Sequence, residues 1–229
     1  SGIAFQSIPV ISLSCNIVVV GASSVMYWKN NILDFRKVIP FVLGSVPFAF
    51  LGGLIPISEK VFYFLLGISL IIAGLHLIFF SEKSNSKNAD LKSGDLQVQN
   101  VENQNPSIRF LLYSLIGSVF GFLSGLTGIG GGIFLAPMLY FMRYAESKVI
   151  ASICSLFILV NSIAGLTGQL TKASDFSVNN LIYFFPLIFA VLLGGILGSV
   201  VTIRIFSKGV IRISTAALIL YAGIRIAIK

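Results

Sequence analysis

One segment, residues 114–139, constrains the fold more than any other part of the chain. Its first half places Gly117, Gly121 and Gly125 at intervals of four residues, so that they share one face of a helix. Small residues at this spacing allow two helix backbones to approach closely inside a membrane. The second half puts four glycines into the five positions 128–132. Because a glycine in a helix interior costs about 1 kcal/mol relative to alanine, we expect the helix to break there.

The segments on both sides of this glycine cluster are as apolar as a lipid bilayer. Non-helical backbone at membrane depth is tolerated only where it is buried in protein or lines a polar cavity. Broken helices of this kind form the binding sites of secondary transporters. We therefore expect a broken or re-entrant helix that supplies a binding site. A tightly packed glycine contact that binds no ligand is the alternative.

The composition is that of a polytopic membrane protein. Hydrophobic residues make up 56% of the chain and charged residues only 10%, whereas a soluble domain carries about 25% charged residues. Seven apolar segments are each long enough to cross a hydrocarbon core, which needs about 20 helical residues. They lie at 3–28, 38–57, 61–80, 108–142, 148–170, 180–205 and 209–228. Cys15 and Cys154 both fall in such segments, where buried free thiols are expected. The predicted fold class is an all-α polytopic membrane protein.

A polar segment, 81–107, separates two related halves, 1–80 and 108–229. Three pairs of residues recur in the same order and at the same spacing in both halves. The pair Ser7/Asn16 matches Ser152/Asn161, Pro40/Gly52 matches Pro186/Gly198, and Val61/Gly74 matches Val210/Gly223. We therefore predict two homologous membrane repeats of about four hydrophobic segments each, joined by a flexible linker. The glycine-rich segment opens the second repeat and has no counterpart in the first, so we expect about 30–40 further residues before Ser1.

Lysine and arginine residues near the segment ends predict how the repeats are oriented, because cytoplasmic loops carry an excess of positive charge. If segment 108–142 crosses the membrane once, the two sides carry ten and six basic residues, and if it folds back at the glycines they carry twelve and four. The stronger bias favours the folded-back arrangement and makes the halves inverted repeats, as in many transporters. A single bent crossing remains the alternative. In both arrangements 29–37 and the linker 81–107 are predicted to be cytoplasmic.

The predicted spans offer neutral rather than charged groups for chemistry. All eight acidic residues lie in loops or at segment ends, and His76 is the only histidine. An intramembrane enzyme, a metal centre and a cation carrier are therefore not expected. No phosphate-binding loop or basic-aromatic platform is present, so neither a cofactor nor a nucleic acid is expected. The half-helix after the glycines has unpaired N–H groups and a partial positive charge at its N-terminus, which suits a small anion.

Substrate-binding residues are expected where this half-helix begins and where polar side chains lie at membrane depth. We predict Thr127, Gly128, Gly130, Gly131, Gly132, Asn16, Ser152 and Asn161. The two asparagines are favoured because they occupy matched positions in the repeats, and an unpaired amide inside a membrane is costly. Further candidates are Ser124, Ser155 and Gln169. For each hydroxyl, the alternative is a hydrogen bond to the carbonyl four residues earlier in its own helix.

The sequence GFLSGLTGIGGG at 121–132, with Pro137 and Leu139 after it, resembles the signature of the sulfite exporter TauE/SafE family. The duplication and the proline-led sixth segment fit the same family, so the resemblance covers nearly the whole chain. It implies a secondary transporter (permease) in a bacterial inner membrane, which carries small sulfur-containing anions such as sulfite or organosulfonates without a cofactor. A membrane interaction or assembly protein that carries no solute is the alternative. The sequence leaves open whether the chain forms a homo-oligomer.

Overall fold

The computed structural model describes residues 7–79, 106–142 and 144–172, together with positions 186, 189–194, 217, 221–223 and 225. Six helices lie in the three long ranges: α1, Ser7–Lys29; α2, Phe35–Leu54; α3, Glu59–Phe79; α4, Pro106–Thr127; α5, Gly132–Phe141; and α6, Ser147–Lys172. The described residues contain no strand, which confirms the all-α class. Four of the helices, α1, α2, α4 and α6, are long and apolar enough to span a membrane. Residues 81–105 of the linker and most of the sixth and seventh predicted segments lie outside the described residues.

The helices α2 and α4 run parallel and pack closely through small residues. Their contacts advance in the same direction along both helices: Gly117 with Phe41, Gly121 with Ser45, and Gly125 with Ala49. A Cβ atom at any of these three glycines would overlap the α2 backbone or the side chain of Ser45. The glycine face recognised in the sequence is therefore what allows the two backbones to meet. The Ser118 hydroxyl adds an interhelical hydrogen bond, which it donates to the Gly44 carbonyl at 3.0 Å.

The helices α1 and α6 run antiparallel to each other. Three contacts establish the direction: Leu13 with Gly165, Gly21 with Leu159, and Ser24 with Ser155. These are the helices that carry the matched serine–asparagine pairs, and inverted repeats require them to be antiparallel. Two other matched positions, Gly198 and Val210, lie outside the described residues. The duplication and its domain boundaries therefore stay a prediction.

The chain reverses direction at the glycines between α4 and α5. The rings of Phe120 and Phe134 stack with centroids 5.9 Å apart. Farther from the glycines, the rings of Tyr113 and Tyr144 meet edge to face at 5.2 Å. Since α5 returns along α4 in this way, α4 and α6 both begin at the same end of the bundle. We call this the linker-side end. The structure thus has the folded-back arrangement rather than the single bent crossing.

A buried hydrophobic cluster lies between the glycines and the linker-side end. It consists of Val38, Phe41, Tyr113, Leu135, Leu139, Ile150, Ile153, Cys154 and Phe157. We call it the core cluster. The half-helix α5 has ten residues and is therefore about 15 Å long, roughly half the thickness of a hydrocarbon core. The core cluster fills the space between α5 and its neighbours over this length.

Tyr144 closes the core cluster at the linker-side end. Its ring packs edge to face on Phe41, with centroids 5.7 Å apart, and its O–H donates to the Lys37 carbonyl at 3.2 Å. Burial raises the pKa of Tyr144 to about 12, and the neighbouring Tyr113 acts in the same direction. The phenol therefore stays protonated and able to donate at physiological pH.

Candidate functional site

The break between α4 and α5 depends on three glycines in left-handed backbone conformations. Gly128, Gly130 and Gly131 have φ angles of 71°, 84° and 76°. Residues with a Cβ atom avoid this region, so a glycine is needed at each of these positions. Gly131 precedes the first helical residue of α5 and provides no side-chain cap. We call residues 128–131 the glycine break.

The backbone of the glycine break turns two of its carbonyls toward α1. The Ser12 hydroxyl donates to the Gly128 carbonyl at 2.8 Å, and the Asn16 amide donates to the Ile129 carbonyl at 3.1 Å. For the N–H groups of residues 129–133, no backbone acceptor occurs in the described part of the chain. Unpaired N–H groups at the start of a helix carry a partial positive charge and form a ready anion site.

Three fully buried polar side chains surround the glycine break. Ser124, Asn161 and Ser162 are each 0% exposed, and the Ser124 and Ser162 hydroxyls and both amide atoms of Asn161 have no hydrogen-bond partner among the described residues. An unsatisfied buried polar group typically costs about 1–3 kcal/mol. Such groups call for a specific explanation, and a ligand that occupies the site would supply one.

The positions of these side chains relative to the break follow from the glycine contacts. A Cβ atom added to Gly130 would stand 3.1 Å from the Ser162 hydroxyl oxygen. A Cβ atom added to Gly131 would stand 3.1 Å from the Cβ atom of Ser124. Asn161 shares a face of α6 with Phe157 and Gly165, four residues before and after it. Because Phe157 contacts Gly131 and Gly165 contacts Gly125, Asn161 lies beside the end of α4 and the break.

The predicted site residues do not all meet at the break. Five of them come together there: Asn161, Gly128, Gly130, Gly131 and Gly132. Asn16 also reaches the break, because its side-chain amide donates to the Ile129 carbonyl. Thr127 is buried next to the break, but its hydroxyl donates to the Leu123 carbonyl of its own helix at 2.7 Å.

Ser152 lies away from the break. It is ten residues before Ser162 on α6, which corresponds to about 15 Å along the helix axis. Its hydroxyl donates to the Val149 carbonyl at 2.8 Å and approaches the Ile32 carbonyl at 3.4 Å. Ser152 therefore fastens α6 to the connection between α1 and α2. Two further candidates also bind other helices: the Gln169 amide donates to the Gly125 carbonyl at 3.1 Å, and the Ser155 hydroxyl pairs with that of Ser24 at 2.8 Å.

Sequence reasoning missed Ser162. The available signal was its position directly after Asn161, which makes a pair of polar residues in an otherwise apolar span. The nearest neighbours of the break glycines are apolar or neutral polar groups, and the described residues contain no cluster of metal-ligating side chains. The arrangement thus offers several uncharged hydrogen-bond donors on buried side chains, which suits a small oxyanion.

Comparison with known proteins shows that the chain is similar to membrane transporters. A sequence model of the family described as Sulfite exporter TauE/SafE matches residues 2–226. The chain is 28% identical to the probable membrane transporter protein y4hK of Sinorhizobium fredii, in an alignment that covers 99% of this chain and 85% of the relative. Two probable membrane transporter proteins of Bacillus subtilis are also similar. YjnA is 27% identical over 87% of this chain and 76% of its own length, and YunE is 26% identical over 94% and 81%. No solved structure matches the chain.

Proposed function

Because this chain belongs to the sulfite exporter TauE/SafE family and is an integral membrane transporter, we propose that it carries a small sulfur oxyanion, such as sulfite or an organosulfonate. The substrate binds at the glycine break. The observation that carries the proposal is the set of buried, unpartnered side chains around the N-terminus of α5, namely Ser124, Asn161 and Ser162.

The donors at the break match the acceptors of a sulfur oxyanion. Sulfite and sulfonates have three oxygen atoms on one sulfur, and each oxygen accepts more than one hydrogen bond. The site supplies the N–H groups at the start of α5, two hydroxyls and one amide, which together can surround three oxygens. Hydrogen bonds to a charged acceptor are about twice as strong as those between neutral groups. They can therefore replace the water that the anion loses on entering the membrane.

An anion fits the break better than a cation does. The carbonyls of Gly128 and Ile129, which could otherwise bind a cation, already accept hydrogen bonds from Ser12 and Asn16. The partial charge at the N-terminus of α5 is also positive. A neutral site of this kind binds the anion without fixing it permanently, which transport requires.

The proposed topology places the linker-side end in the cytoplasm of a bacterium, with the protein in the inner membrane. The basic residues support this orientation, because loops rich in lysine and arginine stay on the cytoplasmic side. The core cluster then separates the glycine break from the cytoplasm in the conformation described. Transport requires the core cluster to open, since a substrate must reach the site alternately from the two sides.

A packing role alone does not account for the site. Helix association explains Gly117, Gly121 and Gly125, which contact α2 directly. It leaves Asn161 and Ser162 buried and unpaired, although apolar residues would pack as well at lower cost. A membrane scaffold that carries no solute is therefore the weaker candidate.

Flux measurements in proteoliposomes test the proposal. The intact protein is reconstituted, and uptake and efflux of radiolabelled sulfite and methanesulfonate are followed with and without an imposed pH gradient. We expect saturable flux that competing sulfonates inhibit. Correctly inserted protein that moves no anion would refute the transport proposal and favour the scaffold.

A further inference from the structure

Two side chains of α1 hold consecutive carbonyls of the glycine break. Ser12 and Asn16 lie four residues apart and therefore on the same face of α1. Their donors bind the carbonyl oxygens of Gly128 and Ile129 at 2.8 and 3.1 Å. These contacts join segments more than 110 residues apart in the chain. They are the only side-chain hydrogen bonds to the break among the described residues.

The two contacts fix the direction of the neighbouring N–H groups. The described peptide bonds are all trans, and in a planar trans peptide the C=O and the following N–H point in opposite directions. Since the carbonyls of Gly128 and Ile129 point at α1, the N–H groups of Ile129 and Gly130 point away from it. Successive N–H groups in such turns form a concave anion-binding surface.

Glycine makes this orientation dependent on the two hydrogen bonds from α1. Gly128 and Gly130 flank the peptides concerned, and glycine populates positive and negative φ with similar ease. Each peptide plane therefore meets a Cβ atom on one side only, that of Ile129, and it rotates more easily than a plane between two residues with side chains. A rotated plane would turn a carbonyl toward the site and an N–H away from it, which replaces a donor for the anion by an acceptor that repels it.

We propose that Ser12 and Asn16 are positioning residues that determine the preference of the site for anions. This inference rests on the proposed function, because it assumes that the substrate binds at the glycine break. It gives the two matched asparagines different roles: Asn161 is unpartnered and available to the substrate, whereas the Asn16 amide is committed to the Ile129 carbonyl.

Binding of two probes of similar size tests the positioning role. Methanesulfonate is an anion, and methanesulfonamide is a neutral molecule in which an NH2 group replaces one oxygen, so the ratio of their Kd values measures the preference of the site for the anion. The Kd of each is measured with the purified, intact protein in lipid nanodiscs. The variants are Asn16→Leu, which removes the donor at similar volume, and Asn16→Gln, which retains a donor. Ser14→Ala is the matched control, because the Ser14 hydroxyl donates to the Val10 carbonyl of its own helix.

We expect Asn16→Leu to raise the Kd for methanesulfonate by about tenfold, while the Kd for methanesulfonamide changes by less than about twofold, since hydrogen bonds to charged groups are the stronger ones. Asn16→Gln should recover most of the discrimination, and Ser14→Ala should retain it fully. A purely structural role for Asn16 predicts equal losses for both probes and would overturn the inference, as would an unchanged ratio in Asn16→Leu. If the wild-type protein fails to prefer methanesulfonate, it is the proposed function that fails. If Asn16→Leu does not fold, Ser12→Ala provides the same test through the Gly128 carbonyl.

Discussion

Replacing Asn161 by leucine should stabilise the protein while abolishing transport. Asn161 is fully buried, and neither of its amide atoms has a partner in the described structure. Leucine has a similar volume and carries no polar group to desolvate. An unsatisfied buried polar group costs about 1–3 kcal/mol, so the free energy of unfolding should rise by about that amount. For a chain of this size, each kcal/mol raises Tm by about 2–4 °C.

The assay combines thermal unfolding with flux. Unfolding in detergent is followed through the exposure of the buried Cys154 to a thiol-reactive dye, and sulfite flux is measured in proteoliposomes. Gln169→Leu is the matched control on the same helix. The Gln169 amide is buried and donates to the Gly125 carbonyl at 3.1 Å. The same change there leaves a carbonyl unpaired, and it should lower the free energy of unfolding by about 1–3 kcal/mol.

Opposite signs of the two stability changes are the specific expectation. A polar residue kept at a cost in stability is typical of a functional site. If Asn161→Leu lowers Tm as Gln169→Leu does, then Asn161 has a structural partner and its assignment to the binding site is wrong. If Asn161→Leu raises Tm but transports normally, the substrate does not use this amide.

Three further results are expected. Gly130→Leu should insert normally but lose transport, because its φ is 84° and a Cβ atom there would stand 2.6 Å from Ile158. The control Gly21→Ala should transport normally, because its Cβ atom would make only an ordinary contact at 3.8 Å. Equal flux in the two variants would contradict the site. Ser162→Ala should weaken sulfite binding by about tenfold, which is the loss of one hydrogen bond to a charged acceptor, without lowering Tm; an unchanged Kd would remove Ser162 from the site. Tyr144→Phe should lower the free energy of unfolding by about 1 kcal/mol by removing the bond to the Lys37 carbonyl. The pKa of Tyr144 is raised from 10 to about 12, so this difference should be constant below pH 10 and decline between pH 10 and 12. Thermal melts that show no such decline would contradict the raised pKa.

The fold class and the position of the break could be predicted because local sequence determines both. Four glycines in five positions are incompatible with a continuous helix, and the composition requires a membrane environment. Asn161 could also be proposed from the sequence, since an amide in the middle of an apolar span is costly wherever its helix packs.

The roles of individual polar residues could not be predicted, because they depend on contacts between distant segments. Whether Asn16 meets a substrate or the Ile129 carbonyl depends on how α1 packs against the break, 113 residues away. Ser152 could bind the substrate only if its helix placed it next to the glycines. The structure places it beside Ile32 instead. The reversal between α4 and α5 was favoured by charge counts, but the contacts of Phe134 and Tyr144 were needed to decide it.

The position of a bound selenium analogue tests the central claim most directly. The intact protein is crystallised with selenite, and an anomalous difference map locates the selenium atom. A peak within about 4 Å of the N–H groups at the start of α5 and of the Asn161 amide, the distance expected for an oxyanion that hydrogen-bonds to both, is the predicted result. A single peak elsewhere in a protein that transports selenite would contradict binding at the glycine break.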